Sequence, residues 1–227
     1  MSPAPVPPGT LAADGRRADL VPPDWTDLLD PREWRLGPDG LPHRRAARVL
    51  VMAAGKQVLL LRGHDTADSS HRWVFTPGGG LHPGESPKQG AARELAEETG
   101  LAVGEEHLEG PVARREAVFR FMQVTCRQHE LFYLLRLPGP VEVRRDGWTD
   151  LERDAVDSVG WWSLVQVSQA QARGEAVYPV CLVGALRDLR AGWDGRVVDL
   201  TDPADAGCVP SCRDGGGCSC YSGECGQ

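Results

Sequence analysis

Residues 79–101 read GGLHPGESPKQGAARELAEETGL, and the spacing of the acids in this stretch decides the fold. Glu94, Glu97 and Glu98 fall at i, i+3 and i+4, so on a helix they share one face with Cβ atoms about 5–6 Å apart. Glu94 and Glu98, like charges one turn apart, weaken an isolated helix by roughly 0.2–0.5 kcal/mol. A divalent cation reverses that sign. Hard ions such as Mg²⁺ take carboxylate oxygens and complete their shell with water and substrate phosphates. The pattern points to metal-assisted phosphate chemistry.

The helix under these acids is signalled at both ends. Ser86 is a good N-cap, Pro87 falls at the first helical position, and Gln89 completes an S-x-x-Q capping box. Ala91, Ala92 and Leu95 supply helix propensity and a small apolar face. Gly100 stands where a left-handed residue ends a helix. Upstream, Thr76-Pro77-Gly78-Gly79-Gly80 is too glycine-rich for helix or regular strand. It predicts a loop whose backbone approaches a ligand closely.

Gly79, five residues, Glu85, seven residues, then Arg93-Glu94-Leu95-Ala96-Glu97-Glu98-Thr99-Gly100-Leu101 resembles the complete Nudix box, G-x5-E-x7-R-E-U-x-E-E-x-G-U, with U aliphatic. Every specified position is filled, and a chance match is on the order of one in ten million at ordinary residue usage. That outweighs the plain alternative of a solvated glutamate-rich surface helix. The resemblance implies an α/β fold, a Nudix-like α/β/α sandwich with a mixed sheet. It also implies hydrolysis of a nucleoside diphosphate linked to another moiety, by attack of water on phosphorus. Mg²⁺ (or Mn²⁺) is the implied cofactor, with Glu94, Glu97 and Glu98 as metal ligands and a backbone carbonyl of Gly78 or Gly79 as a further one.

Arg93 carries donors in a fixed fork and suits orienting a carboxylate such as Glu94 or Glu85. Glu85 reads as structural. In many family members a general base comes from a variable acid outside the box. Glu152 is the first candidate here, ahead of Glu130 and Asp157. Arg44, Arg45, Arg48, Arg62, Arg114 and Arg115 could hold phosphates, and Phe119, Phe121, Phe132, Tyr133 and Trp162 could stack a base. Solvation and core packing are the default for each. Two other classes compete with the hydrolase: a non-catalytic Nudix-fold ligand sensor and an isopentenyl-diphosphate-type isomerase. No DNA-binding segment speaks for the first, and no additional His/Glu metal site stands out for the second.

The chain has 227 residues, 41% hydrophobic and 25% charged, enough for one domain with appendages. A net charge of −7 argues against general nucleic-acid binding, though not against a small nucleotide-type substrate. No apolar run reaches the roughly 18–20 residues of a membrane span, and the N-terminus lacks a secretory pattern, so a cytoplasmic protein is expected. Residues 1–45 read as a partly disordered extension, 46–202 as the Nudix domain, and 203–227 as a Cys/Gly-rich tail. In the extension, Trp25, Leu28, Leu29 and Trp34 are expected to pack on the domain; a homodimer interface is their other use. The tail's Cys208, Cys212, Cys218, Cys220 and Cys225 lack the paired spacing of common zinc modules, and a disordered tail with free thiols is expected.

The remaining elements read as a strand hairpin over 48–52 and 58–62 and a polar loop over 64–70. A strand at 73–75 follows. Beyond the box come a long antiparallel pair over 112–122 and 128–137, a loop-rich stretch over 138–157, a strand at 159–162, and helices over 163–172 and 179–189.

Overall fold

The computed structural model describes residues 6–202; the tail, with its thiol and zinc readings, lies outside them. In chain order the elements are α1 (Trp25–Leu28), β1 (Arg35–Leu36), β2 (Pro42–Ala53), β3 (Gln57–Asp65), β4 (Asp68–Phe75), β5 (Gly78–Gly80) and α2 (Pro87–Thr99). Then follow β6 (Glu109–Phe121), β7 (Val124–Leu137), α3 (Asp150–Ala155), β8 (Val156–Ser163), α4 (Leu164–Ala172), β9 (Ala176–Val177), α5 (Leu182–Ala191) and β10 (Val198–Asp199). The strands form one curled mixed sheet of order β10-β6-β7-β2-β3-β4-β9, with β1 and β5 paired to β2 and β8 paired to β3. At its centre β2 and β7 run parallel from His43↔Arg127 to Ala53↔Leu137.

Alternation along these central strands sends side chains to two cores, because successive residues of a strand point to opposite faces. Ala47, Val49, Val51, Leu59, Tyr133 and Leu135 pack with Ala91 and Leu95 of α2. Leu50, Met52, Val58, Leu60, Phe132 and Leu134 pack on the other side with Leu164 and Val167 of α4 and Leu182 and Leu186 of α5. Strands buried on both faces read as near-continuous apolar runs, as residues 131–135 of β7 do. The result is the three-layer α/β/α sandwich expected from the sequence.

Four local features differ from the sequence reading. The polar stretch 64–70 is not a loop: β3 runs to Asp65 and β4 starts at Asp68, with His64 opposite Arg72. Its side chains are largely exposed, so polarity there marks a solvated strand end. The glycines of β5 are not a loop either, since they pair antiparallel with Ala46, Ala47 and Arg48 of β2. The stretch 138–157 contains α3, capped by Thr149. Residues 6–23, within the extension expected to be partly disordered, are tied down. The Arg17 amide donates to Gly40 O at 2.8 Å, the Thr125 amide to Leu20 O at 3.0 Å, and Val21 is buried.

Leu29 and Trp34 join Val21, Leu41, Val124 and Cys126 in a third cluster, with Trp25 and Leu28 at its edge. The extension therefore packs on its own chain. β2 passes unbroken through residues 45 and 46, so the boundary drawn between them falls inside a strand.

Candidate active site

Helix α2 carries the acids, and its caps hold as its sequence dictates. Ser86 and Gln89 make both hydrogen bonds of the capping box, Pro87 opens the helix, and Gly100 ends it at φ 74° and ψ 3°. From its middle Arg93 organises the surroundings. Its Nε and Nη2 grip Glu85 at 2.8 and 2.9 Å, its Nη1 reaches Glu94 at 2.8 Å and Glu97 at 3.0 Å, and Nη2 also donates to Gly80 O at 2.9 Å. Glu85 is held below the usual carboxylate range by those bonds to Arg93. Both partners expected for Arg93, Glu85 and Glu94, are thus present, and Glu97 is a third.

The glycines let this helix approach the sheet. A Cβ at Gly79 would lie 2.7 Å from a Glu94 carboxylate oxygen, so a larger residue there would displace that carboxylate. One residue earlier, the Gly78 amide donates to Glu98 Oε2 at 2.7 Å. The Gly78 carbonyl, expected as an extra metal ligand, accepts from Arg48 Nη1 at 3.0 Å. Arg48 also takes Thr76 O at 3.0 Å and pairs with Glu130. It clips the glycine strand to the sheet.

The carboxylates of Glu94, Glu98 and Glu152 bring oxygen atoms within 4.8 Å of one another. Glu98 is 5% exposed. Burial pushes its carboxyl well above the usual range, and the Glu94 and Glu152 charges add to that against the Gly78 amide and Arg48. Glu94 is raised as well, by burial ahead of the opposing pull of Arg93. Glu152 arrives from α3 as the third member of the cluster. The Thr149 amide and hydroxyl both meet its Oε2 at 2.6 Å, which leaves Oε1 for an ion or a proton. Trp148, just before, donates from Nε1 to the Glu98 carbonyl at 2.7 Å and ties α3's leading turn to α2. Glu97 is not in the trio; its side chain is 43% exposed and rests on Arg93.

Buried like charges this close oppose folding until a cation joins them. The donor set is all carboxylate oxygen, which fits a hard divalent ion such as Mg²⁺ or Mn²⁺.

The NUDIX domain family model matches residues 42–181. The chain belongs to this family. Over 66 residues it is 41% identical to an RNA pyrophosphohydrolase of Bartonella quintana, covering 27% of this chain and 38% of that protein. A Bartonella bacilliformis RNA pyrophosphohydrolase is 39% identical over the same length and shares. The chain thus spans well under half the length of these curated relatives. Similar solved structures include a NUDIX hydrolase from Nitrosomonas europaea, at TM-score 0.47, 18% identity, and coverage of 66% of this chain and 89% of that one. A C. elegans Ap4A hydrolase aligns at TM-score 0.44 and 20% identity, over 65% and 95% respectively.

Elsewhere in the NUDIX domain, the weaker candidates for an outside base are engaged. Glu130 is buried between Arg48, Arg115 and Gln128. Burial raises its carboxyl, but the two arginines outweigh it and hold it below the usual range. Asp157 pairs with His64 at 3.1 Å and Arg72 at 3.0 Å. Of the arginines, Arg44 stacks on Trp34 and pairs with Glu33, Arg62 pairs with Glu175, and Arg114 pairs with Asp199; Arg45 is exposed. Phe132 and Tyr133 are core residues, Phe119 and Phe121 pack beside the third cluster, and Trp162 lies under Arg62. Sequence reasoning missed Trp148 and Thr149. Thr149-Asp150-Leu151-Glu152 is itself a T-x-x-E capping box, and that signal would have found the helix that delivers Glu152.

Proposed function

We propose that the chain is a divalent-metal-dependent pyrophosphohydrolase that cleaves the phosphoanhydride link of a small nucleoside diphosphate derivative. The observation supporting this is the convergence of Glu94, Glu98 and Glu152, two of them with ionisation opposed by burial. In this reading Glu94, Glu98 and Glu152 hold the ion. Glu97 is the water-facing member of the box, next to Glu94 on the shared Arg93 nitrogen. When bound, such an ion supplies charge neutralisation at the phosphoryl oxygens and lowers the pKa of water.

The chain's own groups then position the reaction. Arg93 fixes the Glu94 carboxylate and the loop through Gly80 O. Arg48 fixes Thr76 and Gly78. Glu152, with one oxygen held by Thr149, offers the other to the ion or as the acceptor of the water's proton. A polyphosphate has little covalent chemistry to be done for it, so orientation for in-line attack is the protein's main contribution.

The Bartonella relatives carry the name RNA pyrophosphohydrolase. That name supports anhydride cleavage as the reaction type. The net charge of −7 favours a small nucleotide over a long nucleic acid as the substrate. A panel of nucleotide sugars, nucleoside triphosphates, dinucleoside polyphosphates and 5′-triphosphorylated RNA, scored for phosphate and pyrophosphate release with Mg²⁺, tests this. Chelator-sensitive turnover of a small nucleotide is expected. No turnover across the panel, or full activity in excess chelator, overturns the reading.

A further inference from the structure

Where β2 and β7 begin to pair, at His43 and Arg127, five side chains close into a ring. His43 Nε2 lies 2.7 Å from Asp39 Oδ1. Arg127 bridges two acids, its Nε donating to Asp39 Oδ2 at 2.9 Å and its Nη1 to Glu116 Oε2 at 3.4 Å. Glu116 Oε1 in turn lies 3.4 Å from His129 Nδ1. The ring closes where His129 Nε2 meets His43 Nδ1 at 3.4 Å, with ring centroids 5.3 Å apart.

The proton positions follow from the acids. An ionised carboxylate only accepts hydrogen bonds. Burial raises the Asp39 carboxyl, but Arg127 and His43 outweigh it and keep it ionised. His43 therefore carries its N–H on Nε2, and Glu116 favours the N–H of His129 on Nδ1. With the N–H of His129 on Nε2 the two rings share a neutral hydrogen bond at 3.4 Å; with it on Nδ1, toward Glu116, His43 Nδ1 and His129 Nε2 face each other lone pair to lone pair. That contact is repulsive unless a positive species lies between them.

We propose that His43 and His129 form a transition-metal site, separate from the carboxylate cluster, for a nitrogen-preferring divalent ion of the Zn²⁺ type. Metal-bound histidines characteristically have their other ring nitrogen held by a carboxylate; Asp39 holds His43 in this way at 2.7 Å, and Glu116 lies 3.4 Å from His129 Nδ1. Two nitrogens at tetrahedral Zn–N distances of about 2.0–2.1 Å are about 3.3–3.4 Å apart, which matches the 3.4 Å spacing. His43 and His129 side chains are 21% and 40% exposed, so water completes the coordination. Their strands are the paired β2 and β7, with His43 opposite Arg127 and Arg45 opposite His129, so the two ligands are held by rigid elements. A proton shared between the rings is the competing occupant.

The test uses the full chain with thiols alkylated, so that its cysteines cannot bind, in excess Mg²⁺. Zn²⁺ binding is followed by calorimetry and Cu²⁺ binding by electron paramagnetic resonance. One equivalent is expected, with superhyperfine coupling from two imidazole nitrogens. His43→Gln and His129→Gln should each weaken it at least tenfold, and Glu98→Gln should leave it unchanged. Unaltered circular dichroism and melting temperature show that each variant is folded. Failure to bind Zn²⁺, or binding that His129→Gln leaves intact, overturns the site and points to the shared proton. Because the readout is binding, the hydrolase reading stands or falls separately.

Discussion

Glu98 pulls stability and activity in opposite directions. Burial and the neighbouring Glu94 charge raise its folded-state pKa above the ordinary 4.5. Stability from this group is therefore fully present below about pH 4.5 and is lost as pH rises through the raised folded value. Glu98→Gln keeps an acceptor for the Gly78 amide and removes the charge. In chelator at neutral pH this variant should melt higher than the parent, each relieved kcal/mol being worth about 2–4 °C in a chain of this size. The gap should close on acidification, and Mg²⁺ should stabilise the parent more than the variant. Turnover should fall roughly 10²-fold or more, because several kcal/mol of charge stabilisation depend on the ion. Calorimetric melting curves with and without Mg²⁺ check the first outcome and steady-state rates the second. A lower melting point in chelator would show that the carboxylate is compensated by protein groups alone. Glu105→Gln and Glu106→Gln, beyond the end of α2, are the rate controls and should change turnover less than about twofold.

At the scale of elements, α2 and α3 use the same device at different lengths. Each starts with a complete capping box, Ser86 with Gln89 and Thr149 with Glu152. In α3 the N3 acid is also a member of the carboxylate cluster, so the cap and the site share one side chain. Thr149→Ala removes the hydroxyl donor at 2.6 Å and the cap acceptor. The cap is worth about 0.5–2 kcal/mol. Loss of such a supporting bond should weaken metal activation by about 10–100-fold, and Thr149→Ser should restore it. Activation by Mg²⁺ measured across the three proteins decides the point; equal curves for Thr149→Ala and the parent would separate cap from site.

The same comparison explains what could be read in advance. Helix α2 was legible because thirteen residues carry caps, propensity and a charge pattern together. Helix α3 is short, with six residues, and sits in a stretch of charged residues broken by Pro and Gly, so its cap was the one signal. The β3–β4 hairpin end was missed for another reason: its pairing is backbone to backbone, and polar side chains on a solvated strand look like loop. β5 was missed because three glycines carry no strand propensity; their pairing is imposed by β2. The site acids in the box were visible from spacing. Their grouping with Glu152 was only a candidate, since it depends on a contact made across more than fifty residues of chain.

For the molecule as a whole, the N-terminal segment acts as part of the domain. Trp34 is 3% exposed and is packed in the third cluster with Leu29, Val124 and Cys126. It also supports the Arg44 guanidinium, whose centre lies 4.6 Å from the ring centroid. Arg44 in turn pairs with Glu33 at 3.1 Å and bonds Gln128. A Cβ at Gly80 would lie 2.1 Å from Glu33 Oε2, so this segment reaches the backbone next to the box. Removing a buried tryptophan costs about 3–5 kcal/mol, and in a chain of this size that is roughly 10 °C of melting temperature. Trp34→Ala should show a fall of that order, and Trp25→Ala, at the half-buried edge of the cluster, a smaller one. Deleting residues 1–34 removes the cluster's lid together with Glu33. It should lower the melting temperature at least as much as Trp34→Ala and expose the β6–β7 turn to limited proteolysis. A deletion variant that melts with the parent and resists protease would show that the sheet does not depend on this segment, and the domain would then begin at β2.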